Sequence, residues 1–98
     1  MIVAIAKGHG MTTVLKTDHP HIVRIMDVCG GEPIVDGLRV PVRHIAVLYQ
    51  RGESPQEIAD ALNLREAQVI HALSYYFDHA EEIHALIAAE EAVHEQLF

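Results

Sequence analysis

The sequence predicts a mainly α fold: a homeodomain-like helix-turn-helix bundle of about four helices, preceded by a small N-terminal β element or hairpin. Three observations predict it. The apolar period is near two before residue 41 and lengthens to nearly four after it. Ser54-Pro55-Gln56-Glu57 has the form of a capping box with proline at the first helical position. Ala59, Asn63 and Val69 fall at the separations a helix-turn-helix requires.

Each element has its own justification. Residues 1–17 form a weakly patterned lead-in in which MIVAIA suits an edge strand. A single domain is expected over residues 18–98. HIVRIMDV at 21–28 is rich in β-branched residues and suits a strand, and Gly30, Gly31 and Pro33 then break the chain. PIV and LRV flank Asp36-Gly37, a pair that favours tight hairpins, so the β element is expected over 21–41. Pro41 can open a helix over about 42–51, with Val42, Ile45, Ala46, Leu48 and Tyr49 as its apolar stripe and Gly52 at its end. The second helix, about 54–62, is expected to bury Ile58, Ala61 and Leu62. The third, about 65–77, turns Val69, Leu73 and Tyr76 inward. Asp78 and Glu81 suggest a further cap, starting a last helix over about 79–96 with Ile83, Leu86, Ile87 and Val93 near one side.

Composition narrows the function classes. At 98 residues, half of them apolar, the chain can build one core. No apolar run approaches a bilayer span, and MIVAIA lacks the flanks of a signal peptide, so a cytoplasmic protein without membrane contact is expected. The single cysteine, Cys29, excludes an internal disulfide and reads as a small buried hydrophobe. Charge is unevenly spread. Residues 1–50 hold five cations against four acids, whereas residues 51–98 hold two against ten. The half that carries the helix-turn-helix therefore has a net charge of −8, unfavourable for meeting a polyanion.

The helix-turn-helix nonetheless has a face that DNA readers use. Ala59 permits close helix crossing, Asn63 tolerates the left-handed turn, and Val69 pins the second helix to the first. At about 100° per residue from Val69, the outward face holds Ala67, Gln68, His71, Ser74 and Tyr75. Gln68 can read adenine, Ser74 and Tyr75 can reach phosphate or sugar, and Arg65 is the permanent cation at the helix entrance. The candidate DNA-binding set is therefore Arg65, Gln68, His71, Ser74 and Tyr75. One such cation is few for affinity, although a dimer doubles it.

The stretch from His21 to Glu91 resembles a family of small bacterial and archaeal proteins designated domain of unknown function 433. The resemblance rests on VCGGEPIVDGLRVPV (28–42), GESPQEIADALNL (52–64) and REAQVIHALSYYFDHAEEI (65–83). Leu38 and Arg65 depart from the family pattern; Arg65 stands where Thr or Ser usually caps the recognition helix. The resemblance implies a helix-turn-helix core with a small β element, a homodimer, and an antitoxin-like role beside a PIN-like nuclease toxin. It implies no catalytic residues.

The eight histidines show no HExxH and no i,i+4 pair on one helix, and His79 and His84 diverge around a helix, so no metal or other cofactor is expected. Arg39 reads as an anchor for the hairpin turn, or alternatively as a residue inserted into a nuclease's carboxylate site. Glu90, Glu91 and Glu95 read as a solvated face, or as phosphate mimics for a basic groove. The toxin-binding candidates are thus Arg39, Glu90, Glu91 and Glu95. No Ser-His-Asp or paired-carboxylate pattern stands out, so no enzyme is expected. The leading expectation is an antitoxin of a toxin–antitoxin pair that autoregulates its operon. A stand-alone transcriptional regulator and a protein-interaction adaptor are the alternatives.

Overall fold

A four-stranded antiparallel sheet runs in chain order, β1 (Ile2–Ala6), β2 (Met11–Lys16), β3 (Ile22–Ile25) and β4 (Pro33–Val35). Four helices follow: α1 (Val42–Gln50), α2 (Pro55–Leu62), α3 (Glu66–Asp78) and α4 (Ala80–Gln96). The structure, a computed structural model, describes the backbone of residues 2–6 and 11–96 and the side chains of residues 13–93. The mainly α class with a small β element is as expected.

The sheet differs in two ways from its sequence pattern. Ile2–Ala6 supplies an edge strand, but residues 11–16, read as lead-in, form a second strand that pairs on both sides: Ile2 opposite Leu15, and Leu15 opposite Arg24. The short run MTTVLK has no clean alternation, so its strand character comes from its two neighbours. In contrast, Leu38-Arg39-Val40 forms no strand. A single bridge joins Ile34 and Pro41, the Val40 carbonyl accepts from the Val35 N–H at 3.3 Å, and the Leu38 N–H donates to the Val35 carbonyl at 2.9 Å across the turn. The turn explains why. Gly37 has φ +84° while Asp36 does not enter the left-handed region, so the bend resembles type II rather than the doubly left-handed hairpin turn. Cys29 also departs from expectation. It is partly exposed, with φ +52°, in a short turn with Gly30 and Gly31, and is not a core residue.

Helix starts and stops follow local chemistry. The Glu57 N–H donates to Ser54 Oγ at 3.1 Å and the Ser54 N–H to Glu57 Oε1 at 2.8 Å, completing the capping box of α2. Asn63 takes φ 57° and ψ 48°, and the Leu64 N–H then reaches the Ala59 carbonyl at 2.9 Å. Ile58 and Ala59 are buried but Ala61 is exposed, contrary to expectation. The buried arc of this short helix runs from Ile58 through Leu62 to Ala59, and Ala61 lies just beyond its edge.

α3 is the central element, packed against α1, α2, α4 and the sheet strands β3 and β4. Val69, Ala72, Leu73, Tyr75 and Tyr76 are buried along it. They join Ile22, Val35, Val42, Ile45, Ala46, Ile58 and Ile83 in one core, where each fully buried isoleucine contributes about 1.5–3 kcal/mol. On α4, Ile83 is buried, Leu86 and Ile87 are partly covered, and Val93 is exposed, so the first half of that helix holds it to the bundle. The cap expected at Asp78 does not form. Asp78 is the last residue of α3, its carboxylate is taken by His19, and α4 begins after a single intervening residue, His79. No helix among the described residues is long and apolar enough to cross a membrane.

Candidate functional site

Arg65 caps α3 in extended geometry without a side-chain cap of its own. Its N–H donates to Gln68 Oε1 at 2.9 Å, so Gln68 supplies the return half of a capping box. Oε1, one of the two atoms with which Gln68 would read adenine, is therefore engaged in the cap. Ala67 and Ser74 are exposed, as expected. His71 is partly buried and stacks on His21, with ring centroids 3.8 Å apart and planes at 21°. Burial first, then His21 and Arg65, lower its pKa.

Tyr75 is the clearest correction, because it is 2% exposed and points away from the outward face. Helical periodicity from Val69 places Tyr75 outward only if α3 is covered on one side. Packing by helices on one flank and by β3 and α4 on the other widens the buried arc until it includes Tyr75. What the outward arc does display is Ile70, 43% exposed, and Phe77, 58% exposed. The two lie seven residues apart, hence on one side of α3. Tyr49 of α1, also exposed, meets the Phe77 ring edge-on at 5.6 Å.

Beneath that face lies a polar corner that no local sequence pattern predicts. The Tyr75 hydroxyl donates to Glu82 Oε1 at 2.7 Å and accepts from Arg24 Nη2 at 3.1 Å, and Arg24 forms an ion pair with Glu82. Burial and the bond to Glu82 push the Tyr75 pKa well up, which keeps the hydroxyl protonated. For Glu82, burial pushes upward, but the hydrogen bonds from Tyr75 and Arg24 outweigh it and hold the carboxyl below its ordinary range. β3, α3 and α4 are tied together at this one node.

Around it, two Asp-His dipeptides, Asp18-His19 and Asp78-His79, pair crosswise. His19 Nε2 lies 2.7 Å from Asp78 Oδ2, and His79 Nε2 lies 2.8 Å from Asp18 Oδ1. The hydrogen bond from His79 lowers the Asp18 pKa. Both imidazoles rest on Tyr75: His79 stacks at 4.3 Å and His19 approaches edge-on at 5.4 Å. Asp18, His19 and His79 present ligand-type atoms all within 4.8 Å of one another. The only sequence signal was the repeated dipeptide, sixty residues apart.

Arg39 is exposed, and its side chain has no hydrogen bond or ion pair among the described residues, so it does not anchor the turn. Its backbone carbonyl lies 3.5 Å from Cys29 Sγ. The arginine held in place here is Arg43, with Nε 3.0 Å from Glu32 Oε1. Glu90 and Glu91 line a groove of about 290 Å³ together with Arg43, His44, Arg51 and Ile87. That groove is of mixed sign rather than uniformly acidic. The side chain of Glu95 lies outside the described residues.

Comparison with known proteins reaches the same scaffold. A family model described as "Protein of unknown function (DUF433)" matches residues 22–76, from β3 to the last turns of α3. The crystal structure of a DUF433 member protein from Anabaena variabilis is similar, at 28% identity and a TM-score of 0.63. The similarity covers 72% of this chain and 70% of that one. No curated protein matches the sequence.

Proposed function

The chain belongs to the DUF433 family of proteins of unknown function, and we propose that it is an antitoxin-like, partner-binding protein built on a helix-turn-helix. The observation that carries this is the composition of the outward face of α3. Ile70 and Phe77 stand exposed there, whereas Tyr75 is buried, Gln68 is engaged and His71 is stacked on His21. A DNA-reading face needs several cations for phosphate contacts, and Arg65 is one. Exposed aromatic and aliphatic side chains beside a polar rim suit a protein partner.

The partner proposed is a PIN-like nuclease toxin. The net charge of −8 over residues 51–98 complements a basic nucleic-acid groove, and the unengaged Arg39 guanidinium suits a carboxylate cluster. Glu91 offers an exposed carboxylate on the same molecule. DNA contact, and with it operon autoregulation, then belongs to the complex or to a homodimer, which supplies the missing cations. The reading assigns no catalytic residue. Co-expression with the nuclease-like product of an adjacent gene tests it. The native chain should be recovered in complex and rescue growth, while Phe77→Asp and Arg39→Glu lose both. Absence of any complex with the native chain overturns the reading. A stand-alone regulator is favoured by one observation, the well-formed turn at Asn63. It requires a mobility shift on its own promoter that weakens steeply with salt.

A further inference from the structure

We propose that Asp18, His19 and His79, with Asp78 beside them, form a binding site for a late first-row divalent cation, zinc being the best fit. The site does not depend on the partner-binding reading. Its residues flank the segment matched by the family on both sides.

The donor set is two imidazole nitrogens and carboxylate oxygens, the mixture that zinc accepts in tetrahedral coordination. Ligand atoms about 2.0–2.2 Å from such an ion sit about 3.3 Å from one another. In the structure the three atoms already lie within 4.8 Å, and the His79 nitrogen is 2.8 Å and 2.9 Å from the two Asp18 oxygens. An ion entering between them replaces hydrogen bonds with coordination and needs only small side-chain rotations. Asp78, 2.7 Å from the His19 nitrogen, lies outside this group of three and reaches the ion as a fourth ligand by swinging its exposed carboxylate inward; water is the alternative.

The less mobile half of the set is pre-positioned. Both imidazoles pack on the Tyr75 ring, and the Tyr75 hydroxyl is fixed by Glu82 and Arg24. Thr17 Oγ1 accepts from the His19 N–H at 3.1 Å and donates to the Ile22 carbonyl at 2.6 Å, which sets the turn carrying Asp18 and His19. Such outer contacts orient metal ligands and limit the rotamers they must give up. The two aspartates, by contrast, are well exposed, so the ion has an open route and the carboxylates are free to swing. Ordinary ion pairing explains each Asp–His contact singly, but it does not require both imidazole nitrogens and the Asp18 carboxylate to converge.

Zinc titration of the metal-free full chain, by calorimetry and by competition with a chromophoric chelator, tests this. One zinc ion per chain should bind. His19→Gln and His79→Gln should each weaken it at least about tenfold, while His44→Gln, at an exposed histidine away from the cluster, leaves it unchanged. Glutamine keeps an N–H donor for the aspartates, and circular dichroism confirms that the variants fold. Absence of saturable zinc binding overturns the proposal. So does binding that persists undiminished in the His19→Gln/His79→Gln double variant.

Discussion

The two ends of α3 are built on different principles. At its N-terminal end, a turn of three residues joins it to α2. The capping contacts around it lie within fifteen residues: Ser54 with Glu57 at the start of α2, Asn63 in the turn, and Arg65 with Gln68 at the start of α3. At its C-terminal end the helix is held by side chains from far away in the chain. His19 reaches Asp78 and Asp18 reaches His79, while Arg24 reaches Tyr75 and Glu82. One end is specified by propensity and capping, the other by long-range polar contacts over a buried tyrosine. A short-range device tolerates the loss of tertiary structure nearby; a long-range one does not.

Substitutions can break that contrast in a graded way. Ile58→Ala empties a fully buried site under the α2–α3 corner and should cost about 2–5 kcal/mol in urea unfolding. A loss below this range would show that the corner stands on capping rather than packing. At the opposite end, Glu82→Gln removes the charge that pairs with Arg24 and should cost about 1–2 kcal/mol, moderated by its partial exposure. Asn63→Ala keeps the β-carbon in the left-handed region but removes the short polar side chain that eases it, at about 1 kcal/mol, whereas Asn63→Gly removes the β-carbon as well and should stay within a few tenths of native. Equal losses for the two would refute the conformational account. The smallest effect is that of Asp18→Asn, read as pH dependence. Asp18 and Glu82 both have lowered pKa values in the folded state, so their stabilisation is present above the ordinary carboxylate range. It is lost as pH falls through the lowered values. Asp18→Asn should flatten that acid limb slightly, and Glu82→Gln more.

The same contrast explains what was legible in the sequence. The capping box, the left-handed Asn63 and the Val69 anchor each answer a demand set by close neighbours, so pattern alone finds them. Tyr75 was misplaced because its exposure depends on whether one flank or two flanks of α3 are covered, a question decided by β3 and α4. β2 went unseen because MTTVLK becomes a strand through pairing with both neighbours. The candidate cation site was the least visible feature. Asp18-His19 and Asp78-His79 are unremarkable dipeptides until the sheet is folded onto the α3–α4 junction. Ile70 and Phe77, in turn, sit in a pattern that reads equally well as core, and only packing shows them outside.

The Arg24–Glu82 contact has a kinetic consequence. It closes a loop of 58 residues, and the His79–Asp18 contact one of 61. Contacts between residues so distant are slow to gain because chain-closure entropy comes first. The helices from α1 to α3, whose contacts span shorter stretches of chain, can assemble ahead of them. The polar corner then acts as a late latch: weakening it should leave the refolding rate nearly unchanged and raise the unfolding rate, shortening the lifetime of the native state.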